Sequence, residues 1–311
     1  MHLNGYLIIN NKYFMFYFYS FFYCMAKIII SVFNILYLRF IFNYDFKIFN
    51  LKVENKNDKI FILGSGNSIN KLLKSEWDEI KSSTSIGINY FILNDFVPDI
   101  IQLELQSDSS AHLNNLKNIF NKRENDLKNT LILIKSNYFS IKEVESRKFF
   151  LKNIPESLKK NIRFSIDFPI VGKNKNQFLK SLKILNFFGI FNSNTLSVSP
   201  HVRASLGYSV VLASRLKFKK IILVGVDLKN TKYFFQDNLN MFYKKYEINK
   251  DFFIKNYFTV NKNREHLTND ELVHEVTIIE ALKLFFKVSN TDSVIFTNSK
   301  KSALYPTFNK Y

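Results

Sequence analysis

The sequence predicts an α/β fold in which a mostly parallel sheet carries helices on both faces. Three observations lead to it. Short apolar runs such as Ile60-Phe61-Ile62-Leu63 and Ile221-Ile222-Leu223-Val224 have the unbroken hydrophobicity of strands buried on both sides. From Asn57 onward such runs alternate with segments of helical period. The first run also leads directly into Gly64-Ser65-Gly66-Asn67-Ser68, the strand–turn–helix outline of a Rossmann-like unit, although the third glycine of the dinucleotide fingerprint is missing.

Taken in order, the elements are these. Lys59 to Leu63 is the first strand, and Ser75 is an N-cap candidate for the helix that begins Glu76-Trp77-Asp78. Ser85 to Asn89, Pro98 to Leu105 and Thr130 to Lys135 read as strands, with an amphipathic helix over Ala111 to Asn125. Residues 137–195 hold helical stretches at Ile141 to Ile154 and Asn176 to Phe191 around a Lys- and Asn-rich piece, which reads as a small lid or subdomain. His201 to Leu216 is helical, Lys220 to Asp227 is a central strand, Glu271 to Val288 is a helix and Ser293 to Thr297 a last strand. Together these place one domain over 57–311.

Residues 1–50 are different in kind. Tyr13 to Ala26 is dominated by aromatic side chains, Lys27 interrupts the run, and Ile28 to Leu38 is apolar again. Neither half reaches the roughly 18–20 residues that cross a bilayer, and no signal-peptide cleavage pattern follows. An interfacial segment with Lys27 and Arg39 reaching outward is one reading. A helix packed on the main domain, or an extension upstream of a start at Met25, is the other. Peripheral attachment to the cytoplasmic face of an inner membrane, or a cytoplasmic location, follows from the first.

The 311 residues carry a formal charge of +18, which suits an anionic partner. No nucleic-acid motif accompanies that charge. One cysteine excludes an intrachain disulfide and a cysteine-based metal site. In open parallel sheets ligands bind outside the carboxyl ends of the strands. Asn89, Glu104, Gly225 and Asp227 stand at such ends beside the Gly64 to Ser68 turn, so a nucleotide phosphate on the turn's amides is expected.

In this order the blocks resemble a bacterial lipooligosaccharide sialyltransferase family: metal-independent enzymes that use CMP-sialic acid, with relatives in surface-polysaccharide and capsule gene clusters. The residues that carry the likeness are Ile62-Leu63-Gly64-Ser65-Gly66-Asn67-Ser68, Asn89, Arg203-Ala204-Ser205-Leu206-Gly207, Ile222 to Asp227, Tyr233, and a histidine ahead of the next helix. The family's Gly-Asn-Gly-Pro-Ser turn carries Ser65 and Asn67 in place of its Asn and Pro. Its Thr-Ser-Gly is Ala204-Ser205-Leu206 here, and one of its two phosphate-holding tyrosines is Tyr233 while the other position is Lys229.

The resemblance implies a GT-A-like variant of the fold, a CMP-sugar donor, a glycan or glycolipid acceptor, inverting transfer, and no metal or other cofactor. Gly64 to Ser68, Asn89, Glu104, Ser205, Gly207, Gly225 and Asp227 are the expected donor-binding residues. Tyr233 and Lys229 are expected to stabilise the departing phosphate, and His266 or His274 to act as general base. The chain has no Asp-x-Asp pair, in keeping with that chemistry. Rival readings are a flagellin glycosyltransferase of the motility-accessory type, a pterin pyrophosphokinase-like enzyme whose metal dependence would set it apart, and a non-catalytic membrane-peripheral scaffold. Self-association is left open.

Overall fold

A computed structural model of the protein describes residues 56–105, 110–136, 141–170, 172, 174–191, 198–228, 232–258, 266–270 and 275–311, and 22–41 in part. Nine parallel-paired strands form one sheet: β1 (Lys59–Leu63), β2 (Thr84–Ile88), β3 (Ile100–Glu104), β4 (Leu131–Ser136), β5 (Ile162–Pro169), β6 (Val198–His201), β7 (Lys220–Val224), β8 (Val294–Thr297) and β9 (Asn309–Lys310). Their order is β6-β5-β4-β3-β2-β1-β7-β8-β9, so the chain winds outward from β1 in one direction and then returns to pair β7 against its other edge.

Strand β1 is central for a physical reason. Ile60 and Ile62 face one core while Phe61 and Leu63 face the other, and all four are almost fully buried. Burying each contributes about 1.5–3 kcal/mol. Side chains that alternate between two cores require helices on both faces. On one face lie α1 (Lys74–Lys81), α2 (Ser110–Lys122) and α3 (Ile141–Asn153). On the other lie α4 (Lys175–Phe187) and α5 (Ala204–Arg215). Further along the chain, α6 (Leu239–Tyr246) joins the first face and α7 (Ile278–Val288) the second.

Several expectations are corrected. In place of a separate lid, the described residues of 137–195 supply α3, β5 and α4, which extend the sheet and its covering layers. The signal was the alternation Ile162-Arg163-Phe164-Ser165-Ile166, which buries Ile162, Phe164 and Ile166 against one core. The glycine turn opens not an α-helix but a single 3₁₀ turn, Asn67–Lys71. The α1 N-cap is Leu73 instead of Ser75, with Glu76 accepting the Leu73 N–H at 2.7 Å. The last long helix begins at Ile278, where the Thr277 side chain caps the Glu280 N–H.

Of the amino-terminal segment, the described residues between 22 and 41 are helical. Val32 packs on the core and Lys148 sits 5.3 Å over the Tyr37 ring. No helix among the described residues is long and apolar enough to cross a membrane.

Helix α5 packs closely on the segment that leads into it at Gly207. A Cβ there would lie 1.5 Å from the Val202 carbonyl oxygen, a backbone atom that cannot step aside. Gly207→Ala should therefore destabilise by about 3 kcal/mol or more, read as a lowered urea midpoint of the full chain.

Candidate active site

A cavity of about 370 Å³ opens at the carboxyl ends of β1, β2, β3 and β7, where strand order reverses. Gly64, Ser65, Gly66, Asn89, Glu104, Ser205, Gly225, Asp227, Tyr233 and His266 all line it, although they are drawn from across two hundred positions of chain. Gly207 does not; it lies buried in α5, as described above. Asn67 and Ser68 stand behind the turn and are absent from the lining. Lys229 and His274 fall outside the described residues.

The turn departs from the expected phosphate cradle. Four of its five amides have partners within the protein, beginning with Gly64 N–H, which donates to Val224 O at 2.8 Å, Gly66 N–H to Gly225 O at 2.7 Å and Asn67 N–H to Lys232 O at 2.9 Å. Asp227 takes the next one, its Oδ2 accepting from Ser68 N–H at 3.0 Å while its Oδ1 accepts from the Ser68 hydroxyl. Gly66 permits this closeness, since a Cβ would stand 2.5 Å from Asp227 Oδ2. The carboxylate thus fills the place expected for a ligand anion. The turn and Asp227 serve as a structural clasp that shapes the cavity wall.

The wall opposite is a polar chain. Asn89, at φ +50°, closes β2 and accepts the Glu104 N–H on its Oδ1 at 3.1 Å. The Ser205 hydroxyl donates to Glu104 Oε2 at 2.8 Å, and Asn89 Nδ2 donates to Ser205 Oγ at 3.5 Å. The fully buried Lys135 ammonium lies 3.3 Å from Glu104 Oε1. Burial alone would raise the Glu104 carboxyl, but Lys135, the Ser205 hydroxyl and the charge of His201 outweigh it and hold its pKa below the usual carboxylate value. Asn89, Ala204 and Leu228 on this lining, and Arg203 beside it, hold positive φ without being glycine. Such backbone strain gathers at functional sites.

At the mouth stands His266. Its N–H donates to Leu228 O at 3.0 Å, which ties the loop to the end of β7. Its Nε2 is 3.4 Å from the Tyr233 hydroxyl, and its Nδ1 is 2.9 Å from the Thr268 hydroxyl. Thr268 thus holds the ring through both groups, its own N–H donating to Nδ1 at 3.3 Å. Burial pushes the His266 pKa below its ordinary value, so the imidazole is neutral at pH 7. Burial likewise raises the Tyr233 hydroxyl, which stays protonated and can donate.

Sequence reasoning missed Tyr90, Lys232, Phe235 and Tyr257, which also line the cavity. Tyr257 meets Tyr233 edge to face, with ring centroids 5.1 Å apart. Nothing in the Lys- and aromatic-rich segment distinguishes Tyr257 from its neighbours. Lys232 pairs with Asp237. Tyr90 donates its hydroxyl to His112 Nδ1 at 2.6 Å, and His112 Nε2 in turn donates to the Glu104 carbonyl at 3.1 Å. Among the described residues no cluster of three His, Cys, Asp or Glu side chains is placed to hold a metal ion.

No known family profile matches the chain, and no curated protein matches it. Among solved structures it is similar to the monofunctional alpha-2,3-sialyltransferase Cst-I from Campylobacter jejuni, with 16% identity over 84% of this chain and 82% of that one, and a TM-score of 0.45. It is similar also to an alpha-2,3-sialyltransferase from Campylobacter jejuni in apo form, with 17% identity, 84% and 82% coverage and a TM-score of 0.40. A third likeness, to the sialyltransferase Cst-II in complex with CMP, has 18% identity, 81% and 84% coverage and a TM-score of 0.41. Likeness at this level fixes neither substrate nor mechanism, which rest on the side chains.

His112 yields a pH dependence. Its buried ring has a pKa lowered to about 4, chiefly by desolvation, against an ordinary 6.5. A histidine with a depressed folded-state pKa stabilises fully above about pH 6.5, and that contribution is lost as pH falls from there through about 4. The loss amounts to about 3 kcal/mol. His112→Gln, which does not titrate, should flatten the stability curve over that window in calorimetric melts.

Proposed function

We propose that the protein is a glycosyltransferase that moves a sialic acid-like nonulosonic sugar from a CMP-sugar to a glycan hydroxyl with inversion. The observation that carries this reading is the pairing of a neutral, buried histidine with a tyrosine hydroxyl, His266 Nε2 to Tyr233 at 3.4 Å, on the same cavity as Asn89 and Ser205. The positions that resemble the sialyltransferase family in sequence are scattered along the chain, and the convergence of Asn89, Ser205, Asp227, Tyr233 and His266 on one cavity supports the resemblance.

Each group has a chemical task in that reading. In the resting geometry His266 Nδ1 accepts the Thr268 N–H at 3.3 Å, which places the proton of the neutral ring on Nε2. To act as base the ring takes the other tautomer, its proton on Nδ1 donated to the Thr268 hydroxyl and the Nε2 lone pair presented to the acceptor O–H. It takes that proton as the acceptor oxygen bonds to the anomeric carbon. The bond from that carbon to the phosphate oxygen breaks, and the electron pair leaves with CMP. Tyr233, and Tyr257 beside it, donate hydrogen bonds to the departing phosphate. A phosphate monoester with a second pKa of about 6 leaves readily with such help. The amides of Gly64, Gly66, Asn67 and Ser68 are engaged within the protein, so phosphate stabilisation falls to these hydroxyls.

The acceptor is expected to be a lipopolysaccharide or capsule glycan, reached by peripheral attachment at the cytoplasmic face of a membrane. Ten large apolar side chains between Phe22 and Ile41 are exposed, Phe40 by 89%. A run of uncovered apolar side chains of this kind suits a membrane surface or another protein. Deleting residues 1–45 should move the protein from the membrane pellet to the soluble fraction with the domain from Lys59 still folded. Loss of folded protein would show instead that Val32 and its neighbours are needed for the core.

Thermal shift of the full chain against CMP, CDP, UDP, GDP, NAD and S-adenosylmethionine tests the donor. CMP at 100 times its dissociation constant should stabilise by about 2.7 kcal/mol without added metal. A response to UDP with manganese and none to CMP overturns the reading. His266→Ala should cut transfer by about 10²–10⁴-fold while CMP binding persists. The acid limb of the wild-type pH–rate profile should lie below the ordinary histidine pKa, since burial lowers that of His266, and should vanish in the variant. Tyr233→Phe should slow transfer and leave the limb in place.

A further inference from the structure

The mechanism above leaves one buried charge unused. Glu104 stands at the end of β3 with its side chain 33% exposed to the cavity, bound on one oxygen by Ser205 and on the other by fully buried Lys135. A buried ion pair is a poor device for stability, because desolvating two charges offsets most of their attraction. One placed on a cavity wall at the carboxyl end of a strand calls for another explanation.

Its chemistry narrows the choice. Tied to a lysine and a serine donor, the carboxylate is held ionised, which makes it a weak base beside the neutral His266. An ionised carboxylate only accepts hydrogen bonds, at about four lone-pair sites. Ser205 and Lys135 engage one oxygen each, so acceptor capacity remains towards the cavity. A ligand phosphate or carboxylate facing it would meet a like charge. The group it faces must be a donor.

Position in the sheet says which part of a ligand that is. Tyr233 bridges to Gly66 at the end of β1, and His266 hangs from Leu228 beyond β7. Glu104 ends β3, two strands from β1. At the usual strand spacing that is about 10 Å, the span of a sugar ring and its substituents. Tyr233, which faces the leaving phosphate, and Glu104 therefore meet different parts of a bound ligand.

We propose that Glu104 is a specificity-determining residue that accepts hydrogen bonds from hydroxyl or amino groups of a sugar bound in the cavity, with Lys135 and Ser205 fixing its orientation. This rests on the glycosyltransferase reading. The sugar is either the one transferred or the one that receives it, and the chemistry of recognition is the same for both.

The test uses the full chain, with Glu104→Gln and the double variant Glu104→Gln/Lys135→Met. The second removes both charges, so that a folding defect caused by an uncompensated lysine does not obscure the result. Calorimetry gives CMP affinity. Hydrolysis of CMP-sialic acid in water gives the donor KM without an acceptor, and transfer to lactose gives the acceptor KM. CMP affinity should stay within about twofold, while one of the two KM values rises by about 10- to 100-fold, the weight of a charge-assisted hydrogen bond, with kcat changing far less. A rise in the hydrolytic donor KM assigns Glu104 to the transferred sugar, and a rise confined to lactose assigns it to the acceptor. If the folded variants bind CMP and keep both KM values, Glu104 is a structural residue and the proposal falls. If wild-type protein does not bind CMP, the donor reading fails first and takes this one with it.

Discussion

The carboxylate of Asp227 on the amide and hydroxyl of Ser68 is the contact on which the site depends. It joins the end of β7 to the turn after β1, two segments more than 150 positions apart in sequence. Around it the backbone closes further: Gly64 and Gly66 donate to the end of β7, and Phe234 N–H donates to Ser65 O at 2.9 Å. Asp227 O also accepts the Ala303 N–H at 3.0 Å, so the carboxyl-terminal segment is fastened to the same point. The two strands that flank the reversal of strand order are thereby locked at their open ends, and the cavity between them and β3 has fixed walls.

That clasp also divides the cavity electrostatically. Because the amides of Gly64, Gly66, Asn67 and Ser68 are engaged by the protein's own carbonyls and Asp227, the β1 side offers hydroxyls and an imidazole more than a nest of N–H groups. The β3 side offers an ionised carboxylate backed by a buried ammonium. A ligand with a phosphate at one end and hydroxyls at the other matches this polarity. His112 stands behind the division: through the Tyr90 hydroxyl and the Glu104 carbonyl it ties an aromatic wall residue to the strand that carries the carboxylate.

Much of this was legible in the chain. Unbroken apolar runs announced β1 and β7, since strands covered on both faces admit nothing else, and polar residues ending such runs announced Asn89, Glu104 and Asp227 as cavity neighbours. β5 was harder to read because its alternation lies in Lys- and Asn-rich surroundings, even though its partners β4 and β6 are its neighbours in chain order. Tyr257 was not legible at all. It is one of many aromatic residues in its segment, and only packing against Tyr233 gives it a place.

By itself the sequence determined the fold class, the buried strands β1 and β7 and the set of polar residues that gather at the carboxyl edge, because hydrophobic periodicity and strand-end chemistry are local properties. What each of those residues does was decided by tertiary structure alone. The amides of Gly64, Gly66, Asn67 and Ser68 look available to an anion until β7 and Asp227 come to lie against them, and Thr268 beside His266 is one hydroxyl among many until the loop turns on Leu228. Hydrogen-bond partners drawn from distant segments are fixed by the packing of the sheet, and no local pattern encodes which donor will meet which acceptor.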